Sequence, residues 1–189
     1  MRSFDPRIVG AVDCRAWETY YRREWAAFLV ASVRMVRAAF RMSWPRTLRG
    51  AWLVLRANQK WAPVPDNDPQ AARALMAAFY RLLAASEPRV AFDPERASEL
   101  EVEWWRAHRA HQGGAESFES LAAALTDLYA YTYAVPADDV RRAAELRAEA
   151  MDVSDAWVAA GCDPTDPQLA RERALLVRSY AALLAGVHG

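Results

Sequence analysis

Aspartate followed directly by proline occurs five times in this chain, at Asp5-Pro6, Asp68-Pro69, Asp93-Pro94, Asp163-Pro164 and Asp166-Pro167, and nothing else limits its fold as strongly. An aspartate carboxylate accepts hydrogen bonds from the unpaired N–H groups of a first helical turn, and the proline has no N–H to leave unpaired. After Asp68, Asp93 and Asp166, apolar residues at helical spacing follow at once. Ser43-Trp44-Pro45 and Pro136-Ala137-Asp138-Asp139 mark two more starts. Stops stand at Ala62-Pro63-Val64-Pro65, Glu87-Pro88, Gly113-Gly114 and Gly161. These marks predict helices over 14–42, 45–61, 69–85, 94–111, 117–134, 137–160 and 167–187, with a short one over 6–12. No stretch alternates apolar and polar residues with β-branched enrichment, so no strand is expected. The predicted fold is therefore all-α, a single helical bundle of about seven helices over 1–189.

Helix 14–42 is expected at the centre. Trp17, Tyr21, Trp25, Phe28, Leu29, Val33, Val36 and Phe40 cover more than half its circumference, wider than the stripe of a surface helix. Glu18 falls inside that apolar arc, with Arg22 one turn on. In the last helix Arg173 falls among Leu169, Leu176 and Tyr180.

The segment Glu101–His111 places ionisable groups on an apolar face. Leu100, Trp104 and His111 project close together, with Ala97 between Trp104 and His108, and Glu101 and His108 lie at the rim. Trp104 and Trp105 project about 100° apart, so one of them must leave the core for a second interface, a pocket wall or the surface. Buried polar groups need partners. The leading expectation is an internal small-molecule site lined by Glu18, Glu101, Trp104 and His108. A metal site is the related expectation: His108 and His111 are three residues apart, and Glu149 and Asp152, with Glu145, offer carboxylates for a divalent ion such as iron, manganese or zinc.

Two short patterns resemble known families. Glu116-x-x-Glu119 followed by Glu149-x-x-Asp152 resembles the ExxE…ExxD motif of all-α nucleotide pyrophosphohydrolases of the MazG type, over about 37 residues. The helical wheel turns Glu116 and Glu119 away from the core face of Phe118, Leu121, Leu125 and Leu128. Arg106 and His111 satisfy the Arg-x4-His spacing of HEPN-domain ribonucleases, and Arg106 faces away from Trp104. No nucleophile elbow, phosphate-binding glycine loop or dinucleotide fingerprint is present.

The net charge of zero conceals a split. Residues 1–62 carry 12 Lys/Arg against four Asp/Glu, and the remainder carries 12 against 20. Arg23, Arg34, Arg37 and Arg41 line one side of helix 14–42, and Arg49, Arg56 and Lys60 line the next beside Trp52. The second functional expectation is a non-enzymatic interaction protein, a homodimer or partner-binding module, using the Arg34/Arg37/Arg41 face or exposed aromatics. In that case Glu101 and His108 pair with Arg22 or Arg173 as a structural network. A balanced charge disfavours nucleic acid. No apolar run reaches a membrane span, Met1–Gly10 lacks the layout of a secretory signal, and Cys14 and Cys162 form no metal-type pair. The expectation is a cytoplasmic protein, and the single lysine among 24 basic residues points to a high-GC bacterial genome.

Overall fold

The Asp-Pro signals act as the sequence predicts. Asp5, Asp68 and Asp93 accept from the backbone N–H of Arg7, Ala71 and Glu95 at the starts of their helices. Asp166 accepts from Gln168 N, whereas Asp163 closes a turn on Thr165. The computed structural model describes residues 3–87 and 92–189, so Pro88 of the predicted Glu87-Pro88 stop lies outside the described residues. It contains α1 (Pro6–Tyr21), α2 (Trp25–Phe40), α3 (Trp44–Trp61), α4 (Pro69–Ala84), α5 (Pro94–Gln112), α6 (Phe118–Tyr133), α7 (Ala137–Ala159) and α8 (Gln168–His188). There are eight helices and no strand among the described residues. Each helix packs on the next, and α8 returns against α1. No helix among the described residues is long and apolar enough to cross a membrane.

The predicted helix 14–42 is two helices. Its N-terminal part joins the predicted 6–12 piece to make α1, and the chain turns at Arg22–Glu24 before α2. Arg23 N–H bonds the Tyr20 carbonyl and Glu24 N–H bonds the Thr19 carbonyl, with Arg23 in the left-handed region at φ 58°. This is the paired closure that usually employs glycine. Here an arginine occupies the position, held by its side chain against Tyr20, Trp25 and the Ala62 carbonyl. No glycine or proline announces the break, and apolar spacing runs through it unchanged.

The centre of the bundle is α7. Eleven of its 23 residues are buried, and Val140, Ala143, Ala144, Ala148, Met151 and Trp157 have no exposed surface. Alanines let neighbouring helices approach closely, a core signal weaker in sequence than a run of large side chains. Close approach recurs at Gly10, where a Cβ would lie 2.7 Å from the Val177 backbone nitrogen, so the backbones of α1 and α8 meet directly.

Candidate functional site

Three helix segments converge on an aromatic cleft of about 190 Å³. Trp17, Tyr20 and Tyr21 come from successive turns of α1, and Trp61 ends α3. From α5 come Trp104, Trp105, His108, Arg109 and Gln112, spaced so that they share a face. The Trp61 and Trp105 rings lie 5.8 Å apart, and Trp104 meets Trp105 edge-on. Of the adjacent tryptophans it is Trp105 that is buried. Trp104 becomes a wall, and its buried Nε1 has no hydrogen-bond partner.

His108 faces this cleft with one nitrogen committed. Its Nε2 lies 3.1 and 3.2 Å from the two carboxylate oxygens of Asp155 on α7. Gln112 also donates to Asp155. In a neutral imidazole, donation from Nε2 to the carboxylate leaves Nδ1 as a hydrogen-bond acceptor.

Behind Trp104 lies a second cavity of about 150 Å³, lined in part by Tyr80, Glu101, Tyr129, Arg147 and Tyr180. Tyr80 donates to Glu101 at 2.7 Å and the Trp105 indole donates to its other oxygen at 3.2 Å. Burial raises the Glu101 pKa, opposed by the Tyr80 hydrogen bond and the charge of Arg147. Arg147 bonds Asp13 at 2.7 Å and Tyr180 at 3.0 Å, and Tyr180 donates to Asp13 at 2.8 Å. The Arg147 guanidinium also lies over the rings of Trp17 and Trp104, at 5.1 and 5.6 Å. Thus the indole walls of the cleft are backed by a buried charge.

Of the four residues expected to line a ligand site, Trp104 and His108 share the cleft, and Trp104 and Glu101 share the inner cavity. Glu18 belongs to neither. It is buried against its own helix, 2.5 Å from Arg15 and 3.5 Å from Arg22. The expected metal set does not gather either. His111 directs Nδ1 to the Glu116 carbonyl and Nε2 to Asp152. Both acceptors call for N–H donors, and the Asp152 bond raises the His111 pKa, so no lone pair remains for a metal. Glu149 and Glu145 bind Arg142. Among the described residues no three of His, Cys, Asp and Glu group as metal ligands.

In the MazG-like pattern the Glu116 carbonyl and the Asp152 carboxylate meet at His111, while the Glu116 carboxylate pairs with Arg106. Nor do Arg22 and Arg173 serve Glu101 and His108. Arg22 binds Glu18 and Glu24, and Arg173 is exposed, its neighbour Glu172 being the buried one.

Sequence reasoning missed Asp13, Arg147 and Asp155. Arg147 stands four residues after Ala143 and four before Met151, on the core face of α7, so its inward position was available from spacing. Asp13 shares a face with Val9 and Trp17, hidden by starting the helix at 14.

No protein-family model, no curated protein and no solved structure matches this chain.

Proposed function

We propose that this bundle binds a small organic molecule in the cleft between α1, α3 and α5. The observation that carries the reading is the His108–Asp155 pair set beside indole walls. Flat aromatic surfaces supply contact area for a ring, and an oriented imidazole supplies one directional polar contact. Apolar cavities of about 150 Å³ suffice for a benzene-sized guest, so the cleft admits a one- or two-ring body. The test uses indole, whose N–H suits the free Nδ1. His108→Ala should weaken indole binding about tenfold, the worth of one good hydrogen bond to a polarised partner. Wild-type affinity in that variant would remove the site as drawn.

A second reading places function on the surface. Trp44, Leu48 and Trp52 stand on successive turns of α3 and are 59%, 54% and 52% exposed. An apolar stripe of this kind marks interaction sites more often than bare solvent contact. Arg37 lies over the Trp44 ring at 5.2 Å, joining the stripe to the exposed Arg34 and Arg41 of α2. An isologous homodimer through this face would oppose arginine to arginine. The reading therefore favours an acidic partner over a second copy.

A further inference from the structure

The cleft carries two positive charges that no acidic side chain neutralises. Arg23 donates to the Ala62 carbonyl at 3.0 Å, and Arg109 donates to the Trp61 carbonyl at 2.8 Å. These carbonyls end α3, whose C-terminal dipole supplies roughly half a negative charge. Two full positive charges exceed that, and neither arginine has an ion-pair partner among the described residues. The two groups also converge. Arg109 lies 4.1 Å from the centre of the Trp61 ring, and Arg23 lies 5.3 Å from that of Tyr20. Burial raises the Tyr20 pKa while Arg23 and Arg109 both oppose it, which sets its phenol against both guanidinium groups.

Each guanidinium keeps N–H donors beyond those that its protein partners take. Each guanidinium has five N–H donors. Arg23 uses one on Ala62, Arg109 uses one on Trp61 and a second on Asn67 when that amide turns its oxygen inward, and both face the Tyr20 hydroxyl. Arg23 is also placed here by a turn that glycine would close with less strain, its φ being 58°. Backbone strain retained in this way collects at working sites.

We infer that the ligand of the cleft is an aromatic carboxylate, its ring among Trp61, Trp104 and Trp105 and its carboxylate on Arg23 and Arg109. The inference rests on the cleft being a ligand site. A guanidinium fork meets a carboxylate through two parallel N–H bonds, and partial exclusion of water strengthens them. The indole faces accept the ring. A neutral ligand of the same shape leaves the positive pair unanswered.

The experiment is calorimetric titration of the full chain with matched acid and amide probes: benzoate against benzamide, and indole-3-carboxylate against indole-3-carboxamide. Wild type should bind each acid at least about tenfold tighter than its amide. Arg23→Gly keeps the left-handed turn, so it should weaken each acid about tenfold and each amide by clearly less, which shrinks the preference. Arg109→Gln should do the same from α5, with the circular dichroism spectrum of each variant confirming the fold. A preference that survives both substitutions overturns the inference. So does equal binding of acid and amide by wild type, and if His108→Ala then weakens both, the cleft remains a ligand site with a different ligand class. Binding of none of the four probes removes the cleft reading itself, and the carboxylate with it.

Discussion

Glu172 on α8 has no exposed surface, and neither of its carboxyl oxygens makes a hydrogen bond. Beside it lie the Cys14 thiol, which donates to the Leu169 carbonyl, and the unpaired Ser154 hydroxyl. Burial first, then the charges of Asp13 and Glu18, push the Glu172 pKa from the usual 4.5 to about 8. The folded chain thus keeps a proton that the unfolded chain releases. Its stabilising contribution is complete below about pH 4.5 and is lost as pH rises through about 8. The slope in between reaches at most about 1.4 kcal/mol per pH unit. Glu172→Gln has no proton to lose. Urea denaturation at pH 5, 6, 7 and 8 should show wild type losing stability relative to the variant, and parallel profiles would acquit Glu172. The helical wheel turned Arg173 inward, whereas it is Glu172 beside it that is buried. One residue is about 100° of rotation, an error the wheel makes easily when both neighbours are charged.

Helix ends differ in how plainly they are written. At Gly114 and Gly161 the chain enters the left-handed region through glycine, and both ends were legible. At Arg23, Arg41 and Ala134 it does so through residues that do not favour it. Ala134 closes α6, with its own N–H on the Tyr131 carbonyl and the Val135 N–H on the Ala130 carbonyl. Its side chain is exposed, so glycine there costs no packing. Relief of left-handed strain, about 1–2 kcal/mol, competes with the greater freedom of glycine in the unfolded chain, about 0.5–1 kcal/mol. Ala134→Gly should therefore stabilise by about 0.5–1 kcal/mol and raise the melting temperature by roughly 1–4 °C. An unchanged or lowered midpoint would mean that the turn is set by Pro136 rather than by residue 134. The unannounced turn at Arg23 has the same logic with more at stake, since its side chain reaches the cleft.

Across the whole molecule the charge split noted in the sequence becomes a place. Residues 25–65 contain no Asp or Glu and seven Arg/Lys, and they fold as the α2–α3 hairpin that carries Trp44, Leu48 and Trp52. A protein of zero net charge should nevertheless be retained at low salt by a polyglutamate surface through this hairpin. Reversing Arg34, Arg37 and Arg41 to Glu should abolish that retention and leave the helical circular dichroism spectrum intact. Retention unaltered by the triple reversal would take this face out of consideration. The sequence alone determined the helical class and most boundaries, because capping, proline placement and 3.6-residue periodicity are local properties that each segment expresses without its neighbours. It also singled out Trp104 and His108. Tertiary structure decided the rest: that 14–42 breaks at Arg23, that His108 meets Asp155 from 47 positions away, and that Arg147 reaches Asp13 across 134. Such contacts depend on which helices adjoin, and periodicity says which side of a helix faces inward but not what it will face.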